Sequence, residues 1–169
     1  PWLELEDARI ALNLMALVRR EARIEVVTAR RVALLRLPPG DGTPPPPPDP
    51  DAPLIPALPD LPVALRLDRL AVERIELGAP ILGTAAVLSV EGEAALTAGR
   101  LSARADARRM DTPAEVRLML DLAPGSDRLM ARLDASEPAG GLLATMMGLP
   151  DRAATARLVL DGPASGARL

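Results

Sequence analysis

The run Glu115-Val116-Arg117-Leu118-Met119-Leu120-Asp121-Leu122 decides the fold, with Arg128-Leu129-Met130-Ala131-Arg132-Leu133-Asp134-Ala135 beyond the turn Pro124-Gly125-Ser126-Asp127. Apolar and polar residues alternate through both runs, the period of a strand with one dry and one wet face. Val116, Leu118 and Leu120 point one way; Glu115, Arg117, Met119 and Asp121 point the other. In the second run Leu129, Ala131 and Leu133 oppose Arg128, Met130, Arg132 and Asp134. The two runs read as a hairpin. Arg and Asp alternating on neighbouring outer faces predict cross-strand ion pairs, each contributing about 0.2–1 kcal/mol.

The same alternation extends upstream. Ala86, Leu88 and Val90, then Ala94 and Leu96, precede Gly99, after which come Leu101, Ala103, Ala105 and Ala107. Farther back, Val63, Leu65 and Leu67 alternate; Leu70 and Val72 follow one step out of phase, and Ile75 and Leu77 shift again. A one-residue slip reverses the facing unless a bulge absorbs it, so Asp68-Arg69 and Glu73-Arg74 mark bends. Gly78-Ala79-Pro80 and Gly83 punctuate a loop. Short turns between closely spaced strands predict an antiparallel meander.

Near the start, Leu3 to Leu12 alternates with a slip around Glu6-Asp7. Asn13 is placed to cap a short helix, Leu14 to Arg20, whose Leu14, Leu17 and Val18 fall at helical spacing. Extended structure resumes with Ile24, Val26 and Thr28, then Val32, Leu34 and Leu37. Toward the other end, Ser136-Glu137-Pro138 starts a second helix. Leu142, Leu143, Met146 and Met147 lie on one side of it, and Gly148 with Pro150 ends it. A last strand covers Ala156 to Asp161.

Composition sets the limits. The 169 residues begin at Pro1 and contain no apolar run long enough to cross a membrane, so the chain reads as an internal piece, and any membrane anchor lies outside it. It divides into a strand-helix-strand region at 1–37, a Pro-rich linker or loop at 38–62, and a β region at 63–169 with the short helix near 138–148. The middle segment holds twelve of the nineteen prolines. Proline lacks the ladder N–H and favours polyproline II, hence a semi-rigid connector in preference to a recognition ligand.

The chain has no His, no Cys and no Tyr, and its twenty basic residues are all Arg, interspersed with acids to a net charge of −3. That composition points away from catalysis, cofactors, metal sites and thiol chemistry. Interspersed charges without stacking aromatics also point away from nucleic acid.

Four local features have a functional and a plainer reading. Met146 and Met147 are an adaptable surface or a plug for the end of the sheet. Arg108-Arg109 with Asp106 and Asp111 is an anion site or a solvated hairpin tip. Glu91 and Glu93, flanking Gly92, are a carboxylate pair or two solvated groups. Trp2 is a recognition or a packing residue. In each case the plainer reading is preferred.

The expected architecture is mainly β, a curved antiparallel sheet with two short helices and a Pro-rich loop. Two short helices cannot cover the apolar face of so many strands. Either the sheet folds on itself as a sandwich, or it curls into an open trough. The alternation permits both.

One resemblance bears on the choice. The run Leu65-Arg66-Leu67-Asp68-Arg69-Leu70-Ala71-Val72-Glu73-Arg74-Ile75-Glu76-Leu77-Gly78-Ala79-Pro80-Ile81-Leu82-Gly83 resembles the TamB family of AsmA-like proteins. So do Glu137-Pro138-Ala139-Gly140-Gly141-Leu142-Leu143-Ala144 with Leu149-Pro150, the opening strand with its Leu-rich helix and Arg23-Ile24-Glu25-Val26, and the Pro-rich insertion. The resemblance implies a taco-like hydrophobic trough in the periplasmic part of a protein anchored in the inner membrane of a Gram-negative bacterium.

It also implies that phospholipid acyl chains are carried toward the outer membrane. The lining would then be Leu88, Val90, Leu96, Leu101, Val116, Leu118, Leu120, Leu122, Leu129, Leu133, Leu158 and Leu160. An alternative role within the same family is a scaffold for assembly or secretion of outer-membrane and autotransporter proteins through strand pairing, with an outer-membrane β-barrel partner.

Overall fold

The computed structural model describes residues 2–36, 61–141, 144, 148 and 151–163. Nine strands form one curved, unclosed sheet. They are β1 (Leu3–Glu6), β2 (Arg9–Asn13), β3 (Glu21–Leu34), β4 (Ala64–Leu77), β5 (Ala86–Thr97), β6 (Arg100–Arg109), β7 (Glu115–Ala123), β8 (Arg128–Glu137) and β9 (Ala154–Gly162). The spatial order is β1-β3-β4-β5-β6-β7-β8-β9, with β2 also on β3, so β1 and β2 make one broken edge and β9 the other.

The break falls at Asp7, whose φ of 50° puts it in the left-handed region and turns the chain where the alternation slips. Tight turns join the later strands. Ala98 and Gly99, both at positive φ, close the β5–β6 hairpin. Pro124–Ser126 forms a 3-10 turn that ends on left-handed Asp127. Between β4 and β5, Ala79–Leu82 winds into a one-turn helix, α1, where turn residues predict only a loop.

Every junction is antiparallel except β3/β4, which runs parallel. The expected meander therefore holds from β4 onward and not before it. A parallel pair needs a crossover of a dozen or more residues. Residues 35–63 supply it, returning the chain along the 14 residues of β3, a distance of about 45 Å. The Pro-rich segment thus joins two neighbouring strands of a single sheet. Most of it, like the expected Leu37 strand end, lies outside the described residues.

The phase slips of β4 are bulges. Its register with β5 shifts between Leu67 and Leu70 and again between Val72 and Ile75, at the two charged dipeptides that break the alternation. Each bulge absorbs one residue, so Leu65, Leu67, Leu70, Val72, Ile75 and Leu77 all meet the apolar face of β5. β3 slips at the same levels, which brings Ile24, Val27, Ala29, Val32 and Leu34 onto that face. The expected set of Val26 and Thr28 is corrected: they pair with Ala11 and Arg9 on the opposite face. Matching the slips of β4 wins over simple alternation along β3.

The charged face carries the ion pairs. Arg117 reaches Asp106 at 3.4 Å and Arg157 reaches Asp134 at 2.7 Å across strands, and Arg100 pairs with Asp121. Others run two residues along one strand, such as Arg132–Asp134 and Arg66–Asp68. The densest group is at the β1/β3/β4 corner. There Arg31 donates to Glu6 and to Glu76, each at 2.7 Å, and Arg74 donates to Glu76 at 2.6 Å.

Hydrogen bonds from Arg31, then Arg74, hold the Glu76 carboxyl down at about 2, from an ordinary 4.5. A carboxyl depressed by folding adds stability above its unfolded value and loses it as pH falls through the folded one. Glu76→Gln should therefore lower the midpoint of thermal unfolding at neutral pH. The deficit should close between about pH 4.5 and pH 2, as read by circular dichroism.

Candidate functional site: an open apolar face

The apolar side chains form continuous rows across the sheet. One runs Ile10–Val27–Leu70–Gly92–Ala105–Leu118–Leu133–Leu158. The next runs Leu12–Ile24–Leu67–Ala94–Ala103–Leu120–Ala131–Leu160. A third joins Leu65, Leu96, Leu101, Leu122 and Leu129. All twelve expected lining residues belong to this face, since Leu88 and Val90 sit opposite Ile75 and Val72.

The apolar face extends beyond those twelve residues. β1 to β4 add Leu3, Leu5, Ile10, Leu12, Ile24, Val27, Val32, Leu34 and the six of β4. The signal for them was the phase slips, which hide a shared face until two registers are known.

No second sheet lies on this face among the described residues. Among the described residues the buried apolar side chains are mostly alanines, and no large side chain is fully buried. Leu122 and Leu129 alone among the larger ones fall below a tenth exposed, at 5% and 8%. Leu158 keeps 49% of its surface, Leu160 43% and Val116 40%. A sandwich would have buried these residues against a facing sheet. The sheet is open.

The two expected covers differ from expectation or lie mostly out of view. Leu14–Arg19 is a 3-10 helix, capped as expected by Asn13, whose side-chain oxygen accepts from the Ala16 N–H at 3.2 Å. It covers little: Ala16 turns inward, while Leu14, Leu17 and Val18 are exposed. With three residues per turn, Leu17 and Val18 fall on different ridges, so α-helical spacing does not apply. In the second segment the expected start at Ser136-Glu137-Pro138 is corrected, since Ser136 and Glu137 still belong to β8, paired with Thr155 and Ala154. Leu142, Leu143, Met146, Met147 and Pro150 lie outside the described residues. Ala144 is helical and fully buried, its N–H donating to Glu137 at 2.7 Å, and Gly148 sits at φ 71°.

Polar groups occupy one end of the apolar face. Arg109 lies opposite Leu88 and is held by Asp111 through contacts of 3.0 and 2.6 Å. This hydrogen bonding keeps the Asp111 carboxyl below the usual carboxylate range. Arg108 and Asp106 point to the other face, and Asp106 pairs with Arg117. The four charges considered together in the sequence are therefore not one site. Glu91 and Glu93 are likewise separate, facing Arg69 and Arg104 at 3.9 and 3.4 Å. Trp2 is partly exposed, and its carbonyl accepts from the Leu35 N–H at 3.2 Å.

The charged face holds a shallow cavity of about 700 Å³. Its walls include Arg66, Glu93, Arg104, Met119, Asp121 and Arg132. Its floor is the backbone of Leu67, Ala94, Ala103 and Leu120, whose side chains alternation sends to the apolar side. Ion pairs across the walls satisfy most of these charges. Among the described residues no group of three or more acidic side chains is placed to hold a metal ion.

The arrangement can therefore cover hydrocarbon over a wide area without fixed polar contacts in its middle. No protein-family model, curated protein or solved structure matches the chain.

Proposed function

We propose that the apolar face binds phospholipid acyl chains, as one section of a path for lipid between membranes. One observation carries the reading: continuous rows of Leu, Val and Ala stay partly exposed because nothing in the described sheet packs on them. Apolar surface removed from water contributes about 25 cal/mol per Å². Aliphatic rows without aromatics or polar groups suit a flexible chain that needs no set register. The TamB resemblance of Leu65–Gly83 points the same way.

A second reading rests on the edge. Among the described residues β9 has no strand on its outer side, Leu158, Val159 and Leu160 are exposed, and such an edge accepts another strand. That suits a scaffold for client β-strands. A single experiment separates the two. Photo-crosslinkers at Leu118, Leu120 and Leu133 should capture phospholipid, and those at Arg117 and Arg132 should not. Equal labelling of both faces would sink the lipid reading; polypeptide captured at Val159 with no lipid at Leu120 would favour the scaffold.

A further inference from the structure

Among the described residues the most exposed apolar side chains lie at one corner of the sheet, beside the β2 end of its apolar rows. Val18 is 83% exposed, Met15 78% and Leu14 68%, all on the 3-10 helix Leu14–Arg19 that joins β2 to β3. Three residues per turn give the helix three ridges. Ala16 faces the sheet, while Leu14 with Leu17, and Met15 with Val18, form two ridges that point to solvent. The exposed surface continues onto the neighbouring edge strand through Leu12 and Ile10, at 58% and 66%. Two arginines follow at once. Arg19 and Arg20 are exposed, and neither joins an ion pair among the described residues, although most other arginines of the sheet do.

The corner is held firmly. Asn13 caps the helix, and its amide donates to Glu25 at 2.9 Å. Left-handed Arg20 closes it, with its N–H donating to the Leu17 carbonyl at 2.9 Å. The Arg20 carbonyl in turn accepts from the N–H of Ala64 at the start of β4. The apolar ridges are thus displayed on a braced turn.

We infer that this corner docks on the surface of an anionic lipid bilayer. Leu14, Met15, Leu17 and Val18 would enter the headgroup–acyl boundary, with Arg19 and Arg20 on lipid phosphates. Apolar insertion and cationic attraction are the two terms of interfacial binding, and here they adjoin in seven residues. Two unpaired cations beside the patch favour an anionic surface over an apolar protein partner. The inference does not rest on the acyl-chain reading, because docking is read by flotation and not by crosslinking.

The 169-residue chain should float with vesicles of phosphatidylcholine mixed with phosphatidylglycerol, and much less with phosphatidylcholine alone. The pair Arg19→Gln and Arg20→Gln should weaken binding to the mixed vesicles roughly thirtyfold, as loss of two cations near an anionic surface implies. Met15→Asp with Val18→Asp should weaken it about tenfold or more, since both side chains leave the apolar phase. Met119→Asp, an equal change of polarity on the charged face, should bind like the parent. Both corner positions are exposed, so an unchanged circular dichroism spectrum is expected and checks the fold.

Three results would overturn the inference. The parent chain could bind neither vesicle, or either double variant could bind the mixed vesicles as the parent does. The Met15/Val18 variant could instead turn a dimer into a monomer in sedimentation with no vesicle binding, making the corner a self-association face.

Discussion

Leu120→Asp should reduce phospholipid capture by the apolar face by roughly thirtyfold, corresponding to about 2 kcal/mol, while leaving the sheet folded. Leu120 is central in its row, between Ala103 and Ala131, so the smaller Asp meets no steric conflict. In the free protein the carboxylate can be hydrated, because this face is open and water already reaches it. Under an acyl chain it would lose that water with no cationic partner beside it, and burying an unpaired charge is far costlier than losing one Leu contact. Crosslinking from Leu133, on the neighbouring strand one row along, reads the loss. The same yield from variant and parent would remove the acyl-chain reading, and a collapsed circular dichroism signal would show that the face is a structural core after all.

The second large effect concerns the fold. A Cβ at Gly78 would lie 2.1 Å from the carbonyl oxygen of Leu35 and 2.8 Å from its carbon, both backbone atoms. Gly78 is also tied there, its N–H donating to the Leu34 carbonyl at 2.9 Å. Gly78 and Leu35 directly follow the last β3/β4 pair, Leu34 with Leu77, so the clash sets backbone against backbone at the end of that ladder. Gly78→Val should therefore destabilise the chain by about 3 kcal/mol, the upper range for overpacking, and lower the unfolding midpoint by roughly 6–12 °C. Gly125 is the comparison, because nothing lies within 4 Å of a Cβ built on it. Gly125→Ala should change stability by about 0.5 kcal/mol at most. A Gly78 variant as stable as the Gly125 one would show that the ends of β3 and β4 are not in this close contact.

Much of the architecture was legible because it is local. Period-two alternation marks β5 to β9, and a turn residue stands at each hairpin: Gly99 at one and Pro124-Gly125-Ser126-Asp127 at another. Even the bulges of β4 were legible, since a charged dipeptide that breaks phase between two aliphatic runs can be absorbed in only a few ways. Less legible was anything set by two strands at once. Val26 and Thr28 alternate perfectly well with Ile24, and only the parallel register with β4 turns Val27 and Ala29 to the apolar side instead. The 3-10 helix misled for a similar reason. Its spacing fits a covering α-helix, but tighter winding and the position of Ala16 leave the Leu and Val side chains in water.

The candidate site divides the same way. Which side chains of β5 to β9 share a face was determined by the sequence alone, because in an extended chain successive Cβ atoms must point to opposite sides. Whether that face is a core or a surface was not, since an apolar face fits a sandwich and an open sheet equally well. Only the tertiary structure decided it. Among the described residues the nine strands join into one unclosed sheet, and no facing layer lies over the rows. Burial depends on what lies about 10 Å above a face, and no alternation within a strand encodes that.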